Sequence, residues 1–576
     1  MRYRGWLPAV FALVVIGCAT PPPQATSIPT QAPPTRTPPP SATPIATATE
    51  VPGVAENQQA AQLTNAQNDL FSGSGACAIC HTNLADESGN DVSIDSSWRS
   101  TIMANSARDP YWQASVRAEV QRTPQRAAEI QGACATCHMP MARVSAQVAG
   151  IPSGVLDDGF MNPGNSLHEL AMDGVSCTLC HQIQAEGLGM PASYTGGFSI
   201  DTTTAAGQRL AYGPYSVDDR LSQIMQGGSG FIPKQGIQTG DSELCATCHM
   251  LYTPITGADG AVTGEFPEQV PYLEWYYSDY RNTSTCQSCH MAEASGGVKI
   301  SVASDSLRSP FARHATVGGN AFMLGMLKDH ANELGVTASE AQLDATIAET
   351  ASQIEGDTAS IKISGLKATS SRLTAEVTVE DKAGHKFPTG FPSRRAWLHF
   401  TVTDAQNQVI FESGAGNVDG SISGNANDDD PRQFEPHYEA IVSQDQVQIY
   451  EAIMADGNGA VTTALMRAAS YLKDNRLLPS GFDKAAPYAD IAVRGRAADD
   501  ADFQGGGDTI EYSVDITGFQ APFSVRVELL YQSVGFRWAE NLRQLSGSEI
   551  ERFTGYYQAA GNRPLIVASD SASTTP

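Results

Sequence analysis

One pentapeptide pattern, Cys-x-x-Cys-His, holds every cysteine of the chain but one, and it occurs five times. The copies are Cys77-Ala-Ile-Cys80-His81, Cys134-Ala-Thr-Cys137-His138, Cys177-Thr-Leu-Cys180-His181, Cys245-Ala-Thr-Cys248-His249 and Cys286-Gln-Ser-Cys289-His290. Two thiols one helical turn apart can add to the two vinyl groups of a single porphyrin, and the next residue then sets an imidazole under its iron. A zinc ribbon needs two such pairs per site, and five pairs leave one over. A thioredoxin-like redox pair sits in a βαβ setting and has no use for the histidine. The spacing therefore implies five haem c groups, each bound through its two cysteines and with His81, His138, His181, His249 and His290 as proximal ligands. A chain so marked has to fold around five large planar groups.

The motifs start 57, 43, 68 and 41 residues apart, too unevenly for a repeat solenoid. Between them lie short helical patches, such as the start at Asp109-Pro110, and many turns. Apolar residues are sparse in this stretch, so the porphyrins are expected to serve as its core. Near residue 356 the pattern changes. Leu373, Ala375, Val377 and Val379 alternate with polar residues as a half-buried strand requires, and similar runs recur at 397–403, 409–411, 446–450, 511–516 and 524–531. Helices are expected at 321–334, 341–354, 461–472 and 537–545. The expected fold class is α+β: a helical and irregular five-haem domain over 58–355, a β-sandwich-like domain over 356–545, and a C-terminal tail over 546–576.

The N-terminal residues read as an export signal, with Arg2 and Arg4 before an apolar run from Leu7 to Ile16. Val15-Ile16-Gly17-Cys18 then resembles a bacterial lipobox. This accounts for the eleventh cysteine as a lipidation site, with residues 1–17 as signal peptide. Residues 18–57 form a Pro/Thr-rich tract expected to act as an extended tether. The expectation is an exported protein held by lipidated Cys18 on the outer face of the cytoplasmic membrane or at the cell surface. A formal charge of −26 argues against nucleic acid as a partner and suits cationic redox proteins.

The sixth ligand of each iron decides what five haems do. Imidazoles on both faces give a saturated iron suited to electron transfer, and an open face gives an iron that binds small molecules. Six histidines remain beyond the motifs. His168, His314, His385, His437 and His330 are the distal candidates; His385 is flanked by Gly and Pro, and His437 follows Pro436 in a turn that is also constrained. His399 lies on a strand face, where a structural role is expected. Met103 and Met172 are the alternative axial ligands. Met139, Met250 and Met291 directly follow proximal histidines and cannot reach the opposite face.

The five motifs, the segment Asp173-Gly174-Val175-Ser176-Cys177 with a histidine upstream, and His385-Lys386-Phe387-Pro388-Thr389-Gly390 resemble the multihaem c-type cytochromes. That superfamily includes hydroxylamine oxidoreductase and its tetrahaem electron acceptor, and the likeness is to a pentahaem lipoprotein member. The stretch from Pro392-Ser393-Arg394-Arg395 to Phe411-Glu412-Ser413-Gly414 resembles the β-rich C-terminal part of uncharacterised environmental members. The resemblance implies distal histidines drawn from outside the motif helices. There is no Cys-x-x-Cys-Lys site, and the motifs are fewer than in hydroxylamine oxidoreductase. The resemblance thus implies a relay carrying electrons between membrane redox proteins and an extracytoplasmic acceptor, more than a catalyst. The alternative is a reductase or oxidoreductase of a small nitrogen or sulfur compound at one five-coordinate haem.

Overall fold

Asp109 caps the helix Pro110–Arg122, its carboxylate accepting from the Tyr111 and Trp112 amides at 2.8 and 3.1 Å. Proline at the first helical position supplies the fixed φ that such a start favours. This is one of a set of mostly short helices that make up the first half of the computed structural model, which describes residues 60–486 and 488–575. The expected signal peptide, Cys18 and the tether lie outside the described residues. Among those described, no helix is long and apolar enough to cross a membrane.

The motif helices are Ser74–Ala78, Ala127–His138, Cys177–Cys180, Ser242–His249 and Cys286–His290. Small apolar clusters pack between them, one around Trp112, Met139, Phe160 and Ala171 and another around Phe71, Met141, Leu170 and Leu179. The expectation that this half lacks a side-chain core of its own is therefore corrected: it has several small ones, set beside the motifs. Ala321–Asp329 and Ala331–Leu334 follow, then Glu340–Asp357, which opens on a Ser339/Gln342 capping box.

Ten strands follow. They are β1 (Ala359–Ala368), β2 (Arg372–Asp381), β3 (Arg395–Thr403), β4 (Val409–Ser413), β5 (Ala440–Ile441), β6 (Ile449–Asp456), β7 (Ala468–Asp474), β8 (Gly507–Asp515), β9 (Ser524–Gln532) and β10 (Leu565–Ser573). One sheet runs β7-β6-β3-β9-β10 with β4 also on β3, and the other runs β5-β8-β2-β1. The alternating residues of β2 and β8 face Phe400, Val402, Val525 and Val527 across the seam, and Phe400 stacks on Tyr512 at 3.7 Å between centroids. Each such side chain, fully buried, contributes about 1.5–3 kcal/mol, so this seam is the main apolar reservoir of the second half. The class is α+β, as the pattern of the sequence implies.

Two segments differ from expectation. Residues 461–472 do not form a helix: a single 3-10 turn, Leu465–Arg467, leads into β7. The Leu465 and Met466 amides bond the Glu119 carboxylate from the first half, and β7 then pairs with β6, so tertiary contacts override helix-forming residues. Nor is 546–576 a tail. Ser548–Ala560 is a helix packed on Pro110–Arg122, with Tyr111 against Phe553 at 4.9 Å and Arg117 bridging to Glu549 at 2.8 Å. Strand β10 then pairs along the length of β9. Deleting residues 546–576 is therefore expected to prevent folding rather than trim an appendage. Limited proteolysis of the truncated chain tests this, and a protease-resistant body like that of the full chain would contradict it.

Candidate cofactor-binding site

The motif helices are clamped to one another by polar contacts at their ends. Buried Asp173 accepts from the Ser74 amide and hydroxyl at 2.9 and 2.6 Å and from the Ser176 hydroxyl at 2.5 Å, so one carboxylate joins the starts of the first and third motif helices. Gly174 next to it has φ +64, and a Cβ there would meet the Met103 and Ala104 carbonyls at 2.7 and 2.6 Å. Thr195 and Gly196 donate to the Met250 and Thr247 carbonyls, and a Cβ on Gly196 would strike Thr136, so that loop lies between the second and fourth motifs. The Ser242 hydroxyl accepts from the Cys286 amide at 3.0 Å, which docks the fifth motif on the fourth.

The cysteines follow the same adjacency. Ten thiols stand free among the described residues. Cys77 lies beside Cys177, Cys137 beside Cys248 and Cys245 beside Cys286, while Cys180 lies close enough to Cys245 and Cys248 to feel their charge. The first site thus adjoins the third, the third adjoins the fourth, and the fourth adjoins both the second and the fifth.

Four of the five motif histidines are held in the same way. Their Nδ1 atoms lie against main-chain carbonyls: His81 to Ile300 at 2.6 Å, His138 to Ser106 at 3.0 Å, His181 to Tyr212 at 2.5 Å and His290 to Val317 at 2.5 Å. A carbonyl only accepts, so Nδ1 carries the proton and Nε2 keeps its lone pair for a metal. Burial favours this neutral form, pulling His138 and His249 down to about 4 and His314 to about 3, with His81, His181 and His385 also lowered. His249 is nevertheless exposed in surface terms.

Two pairs of imidazoles face each other. His181 and His314 have centroids 6.3 Å apart and planes 21° from parallel, and His290 and His385 are 6.1 Å apart at 11°. That is too far for van der Waals contact. With a metal–nitrogen bond of about 2 Å and about 1 Å from each nitrogen to its ring centre, two rings on opposite faces of one metal stand roughly 6 Å apart. The Nδ1 of His314 is buried without a partner, and that of His385 bonds the Lys386 carbonyl at 3.0 Å. The donor set, its protonation and its spacing fit iron porphyrins held by the motif cysteines.

His385 is brought to this position by ionic groups the sequence reading missed. The next residue, Lys386, is fully buried and pairs with Asp474 at 2.8 Å. Arg476 grips the same carboxylate with two bonds of 2.8 Å and reaches Glu274 at 2.9 Å, and Glu274 accepts from Thr389. Phe387 exchanges two main-chain bonds with Leu477. The segment is thereby locked between the sandwich and the helix Pro271–Tyr276. The residues that do this lie about 90 residues downstream or 110 upstream of the loop, beyond the reach of any local pattern.

The other distal candidates separate clearly. His168 bonds the Phe160 carbonyl through Nδ1 at 2.9 Å, which leaves Nε2 free as in the motif histidines. The ring of His330 lies face to face on Tyr556 at 3.4 Å, with Glu333 3.9 Å from its Nδ1, and no motif imidazole faces it among the described residues. His437 is corrected. Its Nδ1 accepts from Gln448 and Asn475 at 2.9 and 3.0 Å, so Nε2 bears the proton and donates to Asp500 at 3.0 Å, which leaves no lone pair for iron. His399 sits between Glu412 and Glu528, the structural role expected of it.

No protein-family model matches the chain, and no curated protein does. Among solved structures it is similar to a penta-heme cytochrome c552 from Thermochromatium tepidum, at 16% identity and a TM-score of 0.47 over 84% of this chain and 96% of that one. A match of that extent falls below what a shared fold requires, so the reading of the site rests on its own residues.

Two outcomes test the groups around these imidazoles. Asp474→Ala strands Lys386 and Arg476 in the interior without their shared counter-charge, a loss of about 3–5 kcal/mol expected in urea unfolding. The second concerns Asp508, beside His437, whose carboxyl burial lifts to about 7. A carboxyl raised on folding binds more protons in the native than in the unfolded chain, so between about 4 and about 7 it makes stability fall as pH rises. Asp508→Asn removes that contribution. Relative to the unaltered chain, the variant is expected to gain stability at pH 8 over pH 5, read from denaturation midpoints at both values.

Proposed function

We propose that the chain is a five-haem c-type cytochrome that relays electrons outside the cytoplasm. The haems would be held by the ten motif cysteines and the five motif histidines, with His314 and His385 closing the irons of the third and fifth sites. Each group, when bound, supplies a reversible one-electron change at iron. The observation that carries the reading is the facing of His181 by His314 and of His290 by His385 across the width of one metal and its two bonds, in a chain with five haem-attachment motifs. An iron with an imidazole on each face has no open position for a substrate, which suits it to carrying electrons.

The chain's own residues have defined parts in this. The carbonyls of Ile300, Ser106, Tyr212 and Val317 orient the proximal imidazoles and raise their basicity as ligands. The network of Lys386, Asp474, Arg476 and Glu274 fixes the distal imidazole of the fifth site. The acidic balance of the chain steers cationic redox proteins to it. In this reading lipidated Cys18 and the Pro/Thr tract hold the conductor at the outer face of the membrane, within reach of donors in the bilayer.

The test is expression of the full chain in a host that attaches haem c, followed by mass measurement and a pyridine haemochrome assay. Five covalent haems per chain are expected, and four in Cys286→Ser/Cys289→Ser. Zinc in place of iron, or no covalent haem, would sink the reading.

A further inference from the structure

Each motif has two residues between its cysteines that attach nothing, and their exposure tells which sites reach the surface. Thr178 and Leu179 of the third motif and Ala246 and Thr247 of the fourth are buried. In the second, Ala135 is buried and Thr136 lies under Gly196. Only at the first and fifth motifs is one of the two exposed, Ile79 at 67% and Ser288. The first motif is joined to the third through Asp173 and the fifth to the fourth through Ser242, so both stand at ends of the set. An end is where a relay meets its partners.

The two exposed turns differ in chemistry. Around Ser288 the surface is polar, with Arg281, Asn282 and Thr283 exposed. Around Ile79 it is apolar. The Val302 amide donates to the Cys80 carbonyl at 2.9 Å, which sets Val302, 57% exposed, beside the motif. Leu307, paired with Lys299 in the same hairpin, is 64% exposed. One exposed apolar side chain needs no explanation, but three on a motif turn and the hairpin bonded to it mark a contact surface.

The rim of this surface is acidic. Glu87 accepts from the Ser295 hydroxyl at 2.8 Å, at the approach to the hairpin, and Asp91 accepts from the Ser93 amide. Both are exposed, and neither pairs with a cation among the described residues. Lys299 is engaged by fully exposed Asp305 at 2.8 Å, and Arg308 turns to the Ser216 carbonyl and the Tyr215 ring. An apolar centre within an acidic rim complements a protein whose redox group emerges through an apolar patch ringed by Lys and Arg.

Resting on the haem reading above, we infer that the first site is the protein-docking port of the relay, with Ile79, Val302 and Leu307 as its contact, and that the partner is a basic, soluble one-electron carrier protein. One electron passes per encounter between the carrier's redox group and the first-site iron, and no bond is made or broken.

The experiment uses the full chain carrying its haems, with haem content fixed first by pyridine haemochrome, and a basic single-haem cytochrome c as the probe. Electron exchange is followed by stopped flow over a range of salt, and carboxylate–lysine pairs joined by carbodiimide are mapped by mass spectrometry. Cross-links are expected at Glu87, Asp91 and Asp305, and exchange is expected to slow as salt rises. Ile79→Ser/Val302→Ser is expected to slow exchange about tenfold at constant haem content. Glu87→Gln/Asp91→Asn flattens the salt dependence, while Val418→Ser, at a 75% exposed position of the sandwich domain, changes neither. No exchange with the probe, cross-links confined to other carboxylates, or unchanged rates in both double variants overturns the inference. So does a dimer of the chain, seen by sedimentation, that Ile79→Ser/Val302→Ser dissolves, because a second copy then covers the patch. Fewer than five haems per chain counts against the haem reading instead.

Discussion

The hydrogen bond from a motif imidazole's Nδ1–H to a distant main-chain carbonyl is the contact on which the first half of the molecule depends. Alone such a bond is worth about 0.5–1.5 kcal/mol. Its larger effect is to select the tautomer and the ring orientation, without which Nε2 is no ligand. It also dictates chain path. The carbonyl for His81 comes from Ile300, beyond the fifth motif, so the last haem segment must return to the first. His290 takes its carbonyl from Val317, three residues past His314, which faces the third site. A single strap of residues therefore orients one proximal ligand and delivers one distal ligand to a different site.

The second half supports a comparable demand at the fifth site. A loop that carries a ligand across a domain boundary has to be rigid, and here the rigidity is ionic. Lys386, Asp474, Arg476 and Glu274 are each buried, which is costly unless every charge is matched. Two cations and two carboxylates balance, and Arg476 uses its fork on one carboxylate while touching the other. Replacing such a cluster with apolar residues could leave stability unharmed. What apolar packing does not supply is direction, and direction is what a distal imidazole needs. The sandwich thus acts less as a separate module than as the mount for His385.

The sequence made the covalent chemistry legible because that chemistry is local: five residues suffice to specify a haem attachment. The alternating strands around Leu373–Val379 and Ser524–Tyr531 were equally plain, since a two-residue period survives any tertiary context. What stayed hidden was set by partners far along the chain. Residues 461–472 have helix-forming composition, and only the Glu119 carboxylate and the edge of β6 turn them toward a strand. The helix and strand of the last thirty residues were obscured by small side chains, Ala568, Ser569, Ser571 and Ala572, that pair well on β9 but carry little pattern. His437 and His385 both sit in turns constrained by a neighbouring proline, and nothing in either turn reveals that Gln448 and Asn475 claim one while Lys386 and Asp474 fix the other.

The uneven motif intervals have a spatial meaning. Sequence order runs first to fifth, but neighbour order runs from first to third to fourth, with the second and fifth beside the fourth. The chain skips a site and returns to it, so its connecting segments differ in length according to which neighbour they must cross. A linear wire needs only its two ends. A branched one has a junction through which every path between branches passes, and the fourth motif occupies it.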